Sequence, residues 1–135
     1  MGIRRRDFLG VSATTVAGLG SDSWAFAQPG GEMYGLIGKM IAAPGKRDDL
    51  ISILLEGVST MPGCLSYIVA KDTGDANAIW ITETWESKAS HEASLSLPSV
   101  KEAIAKGRPL IAGFSDRVVT TPIGGAGMAL PGRPR

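Results

Sequence analysis

Residues Met33 to Ala43 carry apolar side chains on both parities of an extended chain, with Met33, Ile37 and Ile41 on one side and Tyr34, Leu36 and Met40 on the other. A strand with that pattern has to be covered on both faces, so it reads as the central strand of a sheet. Pro44-Gly45 breaks it. From Arg47 the apolar residues fall at Leu50, Ile51, Leu54, Leu55 and Val58, the stripe of an amphipathic helix, with Asp48 and Asp49 in the first turn where the helix dipole favours them.

Met61-Pro62-Gly63 turns the chain into a strand over Cys64 to Lys71, the cluster Asp72-Thr73-Gly74-Asp75 makes a turn, and Ala78 to Trp85 returns as a third strand. In that third strand Ile79, Ile81, Glu83 and Trp85 share one face, and Trp80, Thr82 and Thr84 the other. Ser87 suits the N-cap of a helix through His91 to Leu95, which Pro98 interrupts; Ser99-Val100-Lys101-Glu102 then repeats a capping box for a second short helix. Gly107-Arg108-Pro109 ends the helical region, Phe114 to Thr121 reads as a last strand, and 122–135 is a Gly/Pro-rich tail, a disordered arm or a clasp on a partner.

The order strand, helix, strand, strand, broken helix, strand predicts an α+β, ferredoxin-like βαββαβ fold. Both sheet faces carry apolar residues, yet the helices cover only one. The uncovered face is therefore expected to meet a second copy of the chain, giving a homodimer.

The N-terminus has a different character. Arg4-Arg5-Arg6-Asp7-Phe8-Leu9-Gly10 precedes a weakly apolar run, Val11 to Leu19, too short and too rich in Thr, Ser and Gly to span a bilayer of roughly 30 Å. Ala25-Phe26-Ala27 supplies the small-x-small site that a signal peptidase accepts. The segment resembles a twin-arginine export signal, carried by Arg5, Arg6, Phe8 and Leu9, with cleavage set by Ala25 and Ala27. An ordinary secretory signal with three arginines is the alternative. The resemblance implies the twin-arginine translocase as a partner, a periplasmic or secreted destination and no stable membrane anchor. The organisation expected is a signal over 1–27, a neck over 28–32, one domain over 33–121 and the tail. Of 14 basic and 13 acidic residues, Arg4 to Arg6 and Asp7 and Asp22 precede the cleavage site; 11 of each sign remain, a neutral surface that offers no nucleic-acid footprint. Cys64 is the lone cysteine, so no internal disulfide forms, and it has no basic neighbour in sequence to activate it. One His, one Cys and scattered carboxylates make no metal-ligand set.

The turn Pro62-Gly63-Cys64, the strand end Glu83-Thr84-Trp85-Glu86-Ser87 and the element order resemble the antibiotic biosynthesis monooxygenase family over about Met33 to Thr121, in its quinol-monooxygenase-like branch. The resemblance implies a dimeric α/β barrel. It also implies oxidation of a small phenol, quinol or polyketide-like aromatic by O2 as co-substrate, without metal or flavin. In one member the functional residues are a tryptophan, an asparagine four residues before it and a tyrosine six after. Trp85 keeps the first, Ile81 holds the second position and His91 the third, while the Ser94 region lacks a histidine that many relatives carry. The resemblance therefore gives Trp85, Ile81 and Ser94 as substrate-binding positions.

Such chemistry asks for a dry apolar pocket, a group that takes a phenolic proton and dipoles that steady the anion. His91 is the candidate base at neutral pH, or else a surface histidine among Ser90, Glu92 and Ser94. Tyr67 can donate to a quinol oxygen or simply pack in its strand. Glu83 is either a buried carboxylate with a raised pKa or a strand-end group bonded to backbone or to an arginine such as Arg108. Trp85 and His91 are expected to border one cavity, with core packing the alternative for Trp85. A non-catalytic barrel that binds a small apolar ligand, or a stress-related accessory protein, is the reading from another class.

Overall fold

The computed structural model describes residues 32–58 and 60–129. The export signal, its cleavage site and most of the neck lie outside the described residues. Strand β1 (Tyr34–Ala42) leads through the Pro44-Gly45 turn into helix α1 (Arg47–Gly57). Strands β2 (Cys64–Lys71) and β3 (Ala78–Trp85) form a hairpin, and the short helix α2 (Lys88–Ser94) is followed by α3 (Pro98–Gly107). A single 3-10 turn (Arg108–Leu110) then enters β4 (Ile111–Thr120).

The four strands make one antiparallel sheet in the order β2-β3-β1-β4, so β1 is indeed central, flanked by β3 and β4. Ala42, Leu50, Ile79 and Ile81 form the buried centre, with Met40, Leu54, Tyr67, Val69 and Ile111 packed around it. Those sheet residues alternate along their strands and define the face that the helices cover. On the opposite face Ile68 and Val118 are exposed.

The expected closed α/β barrel is not what the chain forms. Its sheet is open, with β2 and β4 as separate edges, in a single chain. Four strands are too few to close, since about eight are needed before a barrel interior has room for side chains.

Local chemistry explains the element ends. Gly63 adopts φ +84° in the turn before β2, a conformation that glycine takes without a Cβ penalty. The Ser87 side chain accepts from the Ser90 N–H, the cap expected for α2. Helix α3 differs from expectation: Ser99 is not its cap, because Leu97 occupies that position in extended conformation and Pro98 takes the first helical place. Proline's fixed φ is preorganised there, and its missing N–H has no helical partner to lose. Strand β4 starts three residues before Phe114, since Ile111 pairs with Ala42 and Gly113 with Ile41. The stripe on α1 is narrower than read from spacing. Leu50 is fully buried whereas Leu55 is 53% exposed.

Arg47 ties α1 to the β2-β3 hairpin, its guanidinium donating to the carbonyls of Asp72 (3.2 Å), Asp75 (2.9 Å) and Ala78 (3.3 Å). Asp72 shapes the hairpin turn by accepting from the Gly74 and Asp75 N–H groups and from the Trp80 indole. At the other end of the sheet the tail folds back, and the Ala129 N–H donates to the Leu65 carbonyl of β2 at 2.9 Å.

Candidate functional site

Alternation along β3 places Glu83 and Trp85 on the helix side of the sheet, two residues apart and therefore neighbours. Trp85 is 1% exposed. Its indole N–H donates to Glu83 Oε1 at 2.9 Å. The same oxygen lies 3.8 Å from His91 Nε2, and the Glu83 and His91 side chains are 13% and 15% exposed. The imidazole meets Trp85 edge-on, with ring centroids 5.4 Å apart, and leans on Tyr34 at 5.2 Å.

Helix α2 holds His91 in this position. Ser94, the buried polar residue of the helix, donates from Oγ to the His91 carbonyl at 2.6 Å. His91 stands mid-helix, within the last turn of α2. Burial pushes the Glu83 carboxyl above its ordinary value, opposed by the Trp85 hydrogen bond and by the positive character of His91 and Arg117. The arginine that acts on Glu83 is thus Arg117 rather than Arg108.

A cavity of about 620 Å³ opens between the sheet and the helices α1 and α3, within the roughly 300–1,000 Å³ range of small-molecule sites. Met40, Leu50, Leu54, Val100, Ile104, Ile111 and Phe114 give it apolar walls, and Tyr67 and Arg108 are its polar side chains. Gly57 and Ala103 line it where α1 and α3 approach closely; a Cβ on Gly57 would stand 2.5 Å from that of Ala103.

Tyr67 links the cavity to the carboxylate cluster. It lines the cavity and pairs directly with Glu83 across the β2-β3 ladder. Burial, then the charges of Glu83 and Cys64, raise its phenol well above the ordinary value of 10.0. The hydroxyl is therefore a hydrogen-bond donor at every physiological pH, suited to steadying an anionic oxygen rather than to removing a proton.

The expected residues divide between two places. Tyr67 is in the cavity; Glu83, Trp85 and His91 are brought together beside it, but none of the three is among the lining residues. Ile81 belongs to the hydrophobic core at 7% exposure, and Ser94 supports α2 from within. The structure adds Tyr34 and Arg117 to the cluster and Met40, Arg108 and Phe114 to the cavity. Strand register carried the missing signal: Tyr34 pairs with Trp85, and Gly38 pairs with both Ile81 and Arg117. Among the described residues no group of three His, Cys, Asp or Glu side chains is placed to hold a metal ion, and no helix is long and apolar enough to cross a membrane.

No functionally curated protein matches the chain. A solved structure from Chloroflexus aurantiacus, described as a candidate antibiotic biosynthesis monooxygenase, is 66% identical, covering 71% of this chain and 98% of its own with a TM-score of 0.70. A Pseudomonas aeruginosa protein (20% identity, TM-score 0.62, 70% and 98% covered) shares the fold. So does a candidate antibiotic biosynthesis monooxygenase from Nitrosomonas europaea (13% identity, TM-score 0.62, 69% and 92% covered). Residues 33–106 match the family model described as antibiotic biosynthesis monooxygenase, and with this match and the Chloroflexus relative the chain belongs to that family.

Proposed function

We propose that the protein oxidises a small phenolic, quinol or polyketide-like aromatic with O2, the substrate itself supplying the electrons. The observation that carries this reading is Tyr67, held protonated at the wall of an apolar cavity and paired across the sheet with a buried carboxylate. The aromatic fills the cavity and its hydroxyl oxygen accepts a hydrogen bond from Tyr67. Its proton passes to the Glu83–His91 pair behind the cavity wall, reached through Tyr67 and its strand partner Glu83, with His91 as base, and Trp85 positions Glu83 through the indole bond. Electron-rich phenolate then reduces O2. For a quinol the products are quinone and hydrogen peroxide; for a methylene flanked by carbonyl and ring, one oxygen atom enters the carbon and the other leaves as water. Neither balance needs a further reductant.

Oxygen uptake by the purified protein with a panel of quinols and naphthols tests the reading. The parent should turn over at least one class. Tyr67→Phe and His91→Ala should lower kcat at unchanged fold, and Trp85→Phe should shift the pH profile. No uptake by the parent ends the enzyme reading for that panel. A second reading, a non-catalytic binder of a small apolar ligand, is favoured by His91 and Trp85 standing outside the cavity lining and by Ile81 in the core; ligand binding without oxygen uptake would select it.

The reading extends to setting. Arg5, Arg6, Phe8 and Leu9 support twin-arginine export to the periplasm or beyond, checked by whether a lysine pair at Arg5 and Arg6 retains the protein in the cytoplasm. Exposed Ile68 and Val118 on the uncovered sheet face support association with a second copy. A monodisperse monomer in light scattering at micromolar concentration would contradict it.

A further inference from the structure

Fourteen of the fifteen residues that line the cavity carry no charge; the exception is Arg108. It follows α3 directly, on the 3-10 turn Arg108–Leu110. The guanidinium is exposed, and among the described residues no carboxylate lies within ion-pair distance of it. Glu102, on the same helical region, is engaged with Lys106 at 3.4 Å.

Phe114 lines the same cavity from β4 while remaining 71% exposed. It sits at an irregularity: the β1-β4 register shifts between Gly38 and Met40, and Met40 pairs with Phe114. Such bulges re-aim a side chain. A large aromatic left mostly in water beside a hydrophobic cavity is an unused apolar surface.

We infer that the cavity takes an aromatic carboxylate, its ring against Phe114 and the apolar walls and its carboxylate on the Arg108 guanidinium. The inference rests on the reading of this cavity as the substrate site and names the class of substrate. A planar guanidinium matches a carboxylate with two parallel hydrogen bonds. A single cation with no second basic side chain in the lining suits one negative charge better than the double charge of a phosphate ester. Tyr67 is the remaining polar group of the lining, left for the phenolic oxygen of the same molecule.

Titration calorimetry with the full chain, comparing 2-naphthoate with the uncharged naphthalene-2-carboxamide, tests the inference without requiring turnover. The parent should bind the carboxylate about fivefold more tightly, the upper end for an ion pair open to water on one side, and the preference should shrink at high salt. Arg108→Gln should bind the two ligands equally. Arg108→Lys should keep part of the preference, and Phe114→Ala should weaken both ligands by the same factor. Equal binding by the parent, or a preference that survives in Arg108→Gln, overturns the inference; so does the absence of binding by either ligand. Oxygen uptake separates this from the oxidase reading. Turnover of neutral quinols with no carboxylate preference sinks the substrate class alone, whereas carboxylate binding that depends on Arg108 without oxygen uptake keeps the site and sinks the oxidation.

Discussion

Replacing Trp85 by Phe removes one hydrogen bond and part of a buried ring system, and the two losses separate by pH. The indole N–H donates to Glu83 Oε1 at 2.9 Å, with the acceptor side chain only 13% exposed. A hydrogen bond to a charged partner contributes about 1.5–3 kcal/mol. The smaller phenyl ring adds about 1 kcal/mol of lost packing, so the expected cost near neutrality is about 2.5–4 kcal/mol. The pH dependence has a definite sign. Glu83 is raised above its ordinary value of 4.5 in the folded state, so its contribution is fully present below that value and is lost as pH rises through the folded pKa. The Trp85 bond opposes that rise, and removing it widens the window of loss. Urea denaturation at constant protein concentration should therefore show a Trp85→Phe penalty that is larger at about pH 8 than at about pH 4, by about 1 kcal/mol, the difference between a hydrogen bond to a charged and to a neutral acceptor. In a Glu83→Gln background the penalty should no longer depend on pH. An equal penalty at both pH values in both backgrounds would mean that Trp85 only packs, and the account of the cluster would be wrong.

Other consequences are independent of that bond. Gly57→Ala places a methyl 2.5 Å from Ala103 Cβ; overpacking of about 1–3 kcal/mol outweighs the helix-propensity gain of about 0.5–1 kcal/mol, so thermal melts should show a lower Tm. Subtracting the near-ultraviolet tyrosinate titration of Tyr67→Phe from that of the parent isolates Tyr67, whose ionisation should begin only above pH 10.0. Since that phenol is raised in the folded state, stability should fall as pH climbs beyond the ordinary value; a Tyr67 component ionising at or below it would remove the donor role. Arg47→Ala removes three hydrogen bonds to backbone carbonyls, of which those of Asp75 and Ala78 keep a second donor in the Ala78 and Asp72 N–H groups, and should cost about 1–3 kcal/mol, with Arg47→Lys restoring only part because an ammonium cannot reproduce the fork; a neutral Arg47→Ala would show that water replaces the tether.

What was legible in sequence was what neighbours along the chain decide. Strand β2 begins and ends where alternation meets Gly63 and Asp72, and Ser87 announces α2 because a cap is a local bond. Glu83 and Trp85 are neighbours in sequence reading because they share a strand face, and His91 because it follows on the next helix; that Trp85 and His91 stand outside the cavity lining is decided by packing. Across the sheet, sequence spacing loses its hold. Tyr34 and Arg117 reach the cluster only through pairings of β1 with β3 and β4, and Arg108 was the arginine suggested for Glu83 because register is not written in spacing. The early start of β4 has the same origin, since Ile111 and Gly113 are extended by pairing with β1 rather than by any alternation of their own. Closure into a barrel concerned edges that one chain of four strands keeps apart.

The central claim is that O2 oxidises an aromatic whose oxygen is held by Tyr67, and admitting oxygen to a preformed complex tests it most directly. The protein is mixed anaerobically with one equivalent of a quinol that binds, and the absorbance is followed before and after O2 enters, in the presence of a chelator. The account predicts no change without O2, then conversion that consumes one O2 per substrate and is slowed about 100-fold or more in Tyr67→Phe. Conversion at the same rate with and without O2, or unaltered by Tyr67→Phe, would contradict it.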